Sequence, residues 1–130
     1  MKNFLQITPF MWVPNLADAL RFLVDGLGFR IGFRSDIYAY VEREGVAIRV
    51  CVASDTPGEY SPGTRAFRYY IDVTDVLQVL AEIAPKLKAI GHPGILGPVD
   101  QAYGQREIMV IAPDGDLVVY GQAINAPPVG

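Results

Sequence analysis

Two helix-forming segments of this chain repeat one another at a constant spacing, and this repeat limits the folds that the sequence can adopt. Each segment carries one continuous apolar stripe with the i, i+3, i+4, i+7 spacing of an amphipathic helix. Every position of the second stripe lies 60 residues after its counterpart in the first. The first stripe consists of Leu16, Ala19, Leu20, Leu23, Val24 and Leu27, and the second of Val76, Val79, Leu80, Ile83, Ala84 and Leu87.

Capping and breaking residues mark the ends of both helices. Asn15 is the predicted N-cap of the first helix, and Gly28 is its predicted stop. Thr74 or Asp75 is the predicted N-cap of the second helix. Pro85 lies inside the second stripe, so we expect this helix to kink or to end early.

Strand-like segments flank both helices in the same order. One strand precedes each helix and ends at Val13 or Val73, and three alternating segments follow each helix. Predicted turns at 44–45 and 113–115 separate the last two strands of each set, and they lie about 70 residues apart, so the second half carries about ten extra residues. The sequence therefore predicts two strand-helix-strand-strand-strand modules. One such module cannot cover its own sheet, so the two must pack together within one chain or across a dimer.

Composition and charge exclude several classes of function. A net charge of −3 without a basic cluster argues against nucleic-acid binding. The apolar runs are too short to span a membrane, and the first ten residues are not expected to form a secretory signal. The single cysteine, Cys51, is expected to be a buried structural thiol, which favours a cytoplasmic protein. The single histidine, His92, lies in a Gly/Pro-rich connection and is expected to be an exposed loop residue rather than a metal ligand.

Within this repeat, the segments FLVDGLGF, YAYVEREGVAIRV, YYIDVTDV and YGQREIMVIAPDGDLVVYG resemble the glyoxalase / bleomycin resistance / extradiol dioxygenase (vicinal oxygen chelate) superfamily. The likeness runs from about Ile7 to Gln122, and YGQRE most resembles the bleomycin-resistance-like branch. The resemblance implies an α+β fold in which tandem βαβββ modules form curved mixed sheets with a concave cleft. It implies one domain over 1–124, with modules at about 4–53 and 65–122, followed by an extended tail at 125–130.

The metal enzymes of this superfamily place a His or Glu ligand at each of four equivalent strand positions. The resemblance puts those positions at Thr8, Arg49, Arg68 and Val119 of this chain. A divalent metal site needs three or four N, O or S donors, and two guanidinium groups would repel the ion. We therefore expect no catalytic metal and no cofactor.

The same positions point into the cleft of the superfamily fold, which makes Arg49 and Arg68 candidate clamps for a carboxylate or phosphate. Tyr103 matches the aromatic residue that lines the drug site of the antibiotic-sequestering proteins. The remaining candidate ligand-binding residues, on the strands and at the rim of the last hairpin, are Phe33, Tyr40, Arg106 and Glu107. Two structural roles stay open: Glu107 forming a buried ion pair with Arg49 or Arg68, and the aromatic residues serving only as core.

Three functions from different classes follow from this pattern. The leading hypothesis is a metal-independent protein that binds and sequesters an antibiotic or metabolite, as a homodimer with two equivalent clefts. Its ligand is expected to be neutral or anionic and aromatic, because cleft arginines do not suit a cation. The alternatives are a metal-dependent lyase, isomerase or dioxygenase with its ligands at other positions, and a cofactor-free enzyme that uses Glu107 or Tyr103. No catalytic residue is assigned.

Overall fold

The computed structural model describes residues 2–53 and 67–124, which contain eight strands and two helices. The first module consists of β1 (Phe10–Val13), α1 (Leu16–Leu20), β2 (Arg30–Arg34), β3 (Tyr38–Arg43) and β4 (Val46–Val52). The second consists of β5 (Arg68–Asp72), α2 (Val76–Ala89), β6 (Ile95–Asp100), β7 (Gln105–Ile111) and β8 (Leu117–Ala123). This order confirms the predicted tandem βαβββ arrangement. The predicted tail at 125–130 and the start of the second module at 65–66 lie outside the described residues.

Each module forms one four-stranded mixed sheet, and the two sheets have the same topology. The strand orders are β1-β4-β3-β2 in sheet A and β5-β8-β7-β6 in sheet B. In each sheet the first and last strands of the module run parallel, with Phe10 beside Arg49 in sheet A and Tyr70 beside Val119 in sheet B. Because 10 and 70 differ by 60 while 49 and 119 differ by 70, the register reproduces the spacing of the sequence repeat.

The first helical segment is less regular than its apolar stripe predicts. The Asn15 side chain accepts the Asp18 N–H at 3.0 Å, which confirms the predicted N-cap. The α-helix then extends only from Leu16 to Leu20 and continues as a wide π-helical turn over Arg21–Gly26. This turn still buries Phe22, Leu23 and Gly26, so the apolar stripe faces the core although the helical geometry changes. Gly28 has a φ of +79°, consistent with its predicted role as the stop.

The second helix begins at Val76 behind Asp75, whose carboxylate accepts the Gln78 N–H at 3.1 Å. Pro85 lies inside this helix, and the helix continues to Ala89, so of the two expected effects, a kink or an early end, the early end does not occur. The proline removes one helical hydrogen bond. Ile83 and Leu87, on either side of it, are both fully buried, and we attribute the continuation of the helix to their burial.

The helices of both modules and one face of each sheet enclose a common core. Buried side chains of β1, β3 and β4 contribute from sheet A, and those of β5, β7 and β8 contribute from sheet B. A Cβ added at Gly26 would lie 2.9 Å from Leu87 Cδ2, so the absence of a side chain lets the two helical segments approach closely. The two modules therefore do pack together within one chain.

The opposite face of each sheet is not covered by a helix, and we call these the open faces of sheets A and B. Strand alternation places Phe10, Trp12, Tyr38, Tyr40 and Arg49 on the open face of sheet A. It places Arg68, Tyr70, Glu107 and Val119 on the open face of sheet B. No helix in the described part of the chain is long and apolar enough to cross a membrane.

Candidate functional site

Arg49 is the central charged group on the open face of sheet A, and tyrosines are its partners there. Its Nη1 donates to the Tyr38 hydroxyl at 2.6 Å, and its guanidinium carbon lies 5.1 Å from the centre of the Tyr40 ring. The three residues share one face because Tyr40 is opposite Arg49 and Tyr38 is opposite Cys51 in the β3–β4 ladder. Among the described residues no carboxylate lies within ion-pair distance of Arg49. A guanidinium held by phenol groups keeps its full charge and free N–H donors for an external anion.

Further aromatic side chains extend this surface on both sides of Arg49. Phe10 and Trp12 stack with ring centres 6.0 Å apart along β1. Phe33 on β2 lies 6.0 Å from the Tyr38 ring and is 58% exposed, so a single copy of the chain leaves its side chain largely in solvent. The predicted residues Arg49, Tyr40 and Phe33 are therefore brought together on one exposed aromatic face.

Thr8 lies just before β1, at the edge of the same face. Its hydroxyl accepts a hydrogen bond from Gln6 Nε2 at 2.9 Å, and the same nitrogen lies 3.0 Å from the Tyr40 hydroxyl. Gln6 thus connects Thr8 to the aromatic surface. Sequence reasoning did not single out Gln6, because an exposed amide before a strand has no distinctive pattern.

Glu107 is the central charged group on the open face of sheet B, where it is 4% exposed. Its carboxylate accepts the Tyr103 hydroxyl at 2.7 Å and the Gln101 amide at 3.2 Å. Burial raises the pKa of Glu107, but the hydrogen bonds from Tyr103 and Gln101 and the nearby Tyr70 hydroxyl outweigh this and leave the pKa below its usual value. Glu107 is therefore an ionised carboxylate whose hydrogen-bonding capacity is largely used within the protein.

The two tyrosines near Glu107 are held as neutral phenols. The hydrogen bond to Glu107 is the main cause of a raised pKa at Tyr103. Burial, followed by the interaction with Glu107, raises the pKa of Tyr70 as well. Tyr70 crosses the position where Gly121 has no side chain, since a Cβ there would lie 1.8 Å from the Tyr70 oxygen. A phenol with a raised pKa is a weak acid and a carboxylate with a lowered pKa is a weak base, so this cluster is poorly suited to general acid-base catalysis.

The ion pair between Glu107 and Arg49 or Arg68, which the sequence left open as one alternative, is not formed among the described residues. Arg68 is exposed on the open face of sheet B and does not contact Glu107 directly. Its charge makes a lowering contribution to the pKa values of Glu107 and Tyr103, although the pKa of Tyr103 stays raised overall. Arg49 lies on the other sheet with its tyrosine partners. The expectation of such a pair did not allow for the Tyr103 and Gln101 donors, which lie six residues or fewer from Glu107.

Arg106 is not brought to the open face with the other predicted residues. It follows the strand alternation, which directs its side chain away from that of Glu107. Its Nε and Nη2 donate to the two carboxylate oxygens of Asp100 at 2.7 and 3.2 Å, across the β6–β7 pair. This bidentate pair links two strands at the surface.

The resemblance assigns the metal-ligand positions of the superfamily to Thr8, Arg49, Arg68 and Val119 of this chain. Val119 is buried beside Tyr70 in sheet B, and Arg68 and Arg49 carry positive charge. Within residues 2–53 and 67–124 there is no cluster of three or more His, Cys, Asp or Glu side chains that could hold a metal ion.

Cys51 and His92 differ from their sequence-based expectations. Cys51 is only half-buried, because the β4 alternation places it on the open face beside Arg49; burial still raises its pKa. His92 lies in a loop as expected, but it is half-buried rather than exposed. Its Nε2 lies 2.7 Å from the Ile111 carbonyl, its Nδ1 accepts the Gly94 N–H, and its ring packs 5.3 Å from Phe22. His92 therefore has a local structural role.

No protein-family model matches the sequence, and no curated protein matches it. Solved structures with a similar fold include the bleomycin resistance determinant encoded on the transposon Tn5, at 24% identity and a TM-score of 0.71, covering 92% of this chain and 98% of that protein. A bleomycin-binding protein solved in complex with bleomycin is 25% identical, with a TM-score of 0.68 and the same coverage of both chains.

A lactoylglutathione lyase from Agrobacterium tumefaciens is also similar in structure, at 13% identity and a TM-score of 0.67. The structural match covers 93% of this chain and 96% of the lyase chain. Binding proteins and an enzyme thus share this architecture, so the fold alone does not specify the activity. The resemblance found in the sequence is confirmed at the level of structure: the chain has the α+β fold of the glyoxalase / bleomycin resistance / extradiol dioxygenase superfamily, and its structural neighbours include bleomycin-resistance proteins.

Proposed function

We propose that this protein is a metal-independent small-molecule-binding protein that sequesters an antibiotic or metabolite. The observation that carries the proposal is Arg49, which lies on an exposed aromatic face between Tyr38 and Tyr40 and has no carboxylate partner among the described residues. A charged group in such a position is available to a ligand, whereas one in an internal ion pair is not. The bleomycin-binding neighbour supports small-molecule binding on this fold.

The ligand class follows from the groups around Arg49. Aromatic rings offer stacking surfaces, and a guanidinium matches the geometry of a carboxylate with two parallel hydrogen bonds. Arg68 adds a second exposed positive charge on sheet B, and Glu107 is already satisfied by internal donors. We therefore propose a neutral or anionic aromatic ligand, in contrast to a strongly cationic one.

We further propose that the binding unit is a homodimer in which open faces of two copies enclose each cleft. A single copy leaves large apolar side chains on its open faces well exposed. Examples are Phe10 (51%) and Phe33 (58%) on sheet A. Pairing two copies would remove this surface from water and would give the ligand a second wall. Sedimentation analysis is expected to give twice the mass of the chain.

The metal-dependent alternative receives no support from the residues at the equivalent positions, because Thr8, Arg49, Arg68 and Val119 do not form a donor set for a transition metal. The cofactor-free alternative is weakened by the pKa directions at Glu107 and Tyr103. Metal analysis of untagged protein bears on the first alternative, and a stoichiometric transition metal would overturn metal independence.

A thermal-shift screen tests the proposed ligand class. The panel contains aromatic carboxylates, matched neutral aromatics, and cationic compounds that include a bleomycin. We expect aromatic acids and neutral aromatics to raise Tm, with the acids giving the larger shifts. Stabilisation by the cationic compounds alone would contradict the proposal.

A further inference from the structure

A cavity lies between the two modules, away from the open faces. Its volume is about 260 Å³. The β3–β4 hairpin and Phe29 form one side, and the end of β5 with the first turns of α2 forms the other. Its apolar wall consists of Phe29, Val46, Ile71, Val73 and Val79. The cavity therefore combines the size and the apolar surface of a site for a small organic molecule.

The charged groups around this cavity are unbalanced. Arg43 is the cationic side chain that lines it, and Glu44, Asp75 and Glu82 are the anionic ones. Asp72 also borders the cavity, but the β5 alternation directs its side chain to the open face with Arg68 and Tyr70. Arg43 forms ion pairs with both Glu82 and Glu44, so its charge is used within the protein. Asp75 has no basic partner among the described residues. Asp75 accepts the Gln78 N–H on Oδ1, which leaves its second carboxylate oxygen available.

A buried hydroxyl group at the same cavity has no hydrogen-bond partner within the described part of the chain. Tyr120 is 5% exposed, and its hydroxyl makes no hydrogen bond to any described residue. The hydroxyl lies close enough to the cavity-lining Arg43 and Glu82 for both to influence its pKa, which burial raises. It therefore remains a neutral phenol whose oxygen can accept a hydrogen bond. A buried polar group without a partner is uncommon and calls for an occupant that can satisfy it.

We propose that this cavity between the modules is a second binding site, which takes a small organic cation with an apolar body. The cationic group, such as a primary ammonium, pairs with the carboxylate of Asp75 and donates a hydrogen bond to the Tyr120 oxygen. The apolar body packs against Phe29 and its aliphatic neighbours. The proposal is independent of the ligand on the open faces, whose preferred charge is the opposite.

Titration of the ¹⁵N-labelled full chain with benzylamine tests the proposal, with benzyl alcohol and benzoate as the neutral and anionic probes of the same shape. We expect benzylamine to shift the amide signals of Thr74 and Gln78 in a saturable way. Benzyl alcohol should bind about tenfold more weakly, and benzoate should not shift these signals. Equal binding of amine and alcohol, no saturable shift with the amine, or amine-induced shifts confined to the open faces would each overturn the proposal.

Two variants and one control test which groups bind benzylamine. Asp75→Asn keeps an N-capping side chain while removing the charge, and it should weaken benzylamine binding about tenfold. Asp18→Asn makes the same change of net charge in the first turn of α1, outside this cavity, and should leave binding unchanged. Tyr120→Phe keeps the ring in the core and should weaken binding about threefold. Wild-type affinity in either Asp75→Asn or Tyr120→Phe would contradict the assignment.

Discussion

The open faces of the two sheets have the same strand order but carry different central groups. On sheet A, the Arg49 guanidinium is half-exposed and contacts two phenols. On sheet B, the Glu107 carboxylate is buried and accepts hydrogen bonds from Tyr103 and Gln101. One module thus presents a charge that is available to a ligand, and the other uses its charge to hold its own side chains. Under the proposed function, the open face of sheet A supplies the main contact to the ligand, while Glu107 on sheet B stabilises its own side chains.

The largest expected difference between the sheets is the loss of stability when a side chain is added to the glycine at a register shift. This glycine is Gly32 in the β2–β3 pair of sheet A and Gly97 in the β6–β7 pair of sheet B. A Cβ at Gly97 would lie 2.7 Å from the Glu107 carbonyl oxygen, and Gly97 has a φ of +99°. A Cβ at Gly32 would lie 3.1 Å from the Tyr40 ring and 3.6 Å from the Tyr40 carbonyl oxygen, which is ordinary contact distance. We expect Gly97→Ala to lower the free energy of unfolding by about 3 kcal/mol and Gly32→Ala by about 1 kcal/mol or less. Urea unfolding measures both values, and equal losses would remove this distinction between the sheets.

A smaller difference is expected between the stability losses caused by replacing Glu107 and by replacing Arg49. Glu107→Gln replaces an ionised acceptor of tyrosine hydroxyls by a neutral one, so we expect it to lower the free energy of unfolding by about 1–2 kcal/mol. Arg49→Gln removes a charge without an internal ion pair and should change that energy by less than about 0.5 kcal/mol. If Arg49→Gln were the more destabilising variant, Arg49 would be the structural group and the comparison would be reversed.

The smallest expected effect is the contribution of the Glu107 carboxylate to the pH dependence of unfolding. The pKa of Glu107 is lowered in the folded protein, so its ionised form contributes stability above the ordinary carboxyl value of 4.5. That contribution is lost as the pH falls from about this value through the lowered pKa of the folded state. The wild-type protein should therefore lose stability faster than Glu107→Gln over this acid range. Asp100 also has a lowered pKa, but it is present in both proteins and cancels in the difference. Parallel curves would show that Glu107 has no shifted pKa.

The repeat made most of the architecture predictable. Strand alternation, the two caps and the spacing of 60 and 70 residues predicted the element order of both modules and the opposite directions of Arg106 and Glu107. The pairings of β1 with β4 and of β5 with β8, which were not predicted, keep the same spacing. The physical basis of the predicted features is local, because periodicity and capping act within a few residues. Asn15 and Asp75 illustrate this, since each accepts the N–H three residues later.

The features that the sequence did not predict depend on contacts between distant segments. The π-helical turn at Arg21–Gly26 fits the close approach of Gly26 to Leu87, a residue of the other module. Pro85 is tolerated within a helix whose neighbouring residues are in the core. Arg106 was predicted at the ligand site, but its choice of Asp100 depends on the β6–β7 register. Such interactions are set by tertiary packing, which overrides local preference.

The most direct test of the central claim is a calorimetric titration of metal-free protein with the aromatic acid that stabilises it best. The titration compares wild type with Arg49→Gln and with Arg30→Gln. Arg30→Gln makes the same charge change on sheet A at a residue that is paired with Glu42. If Arg49 holds the ligand, Arg49→Gln weakens binding by about tenfold or more, while Arg30→Gln retains wild-type affinity. Equal affinity in wild type and Arg49→Gln, or binding that requires an added transition metal, would contradict it.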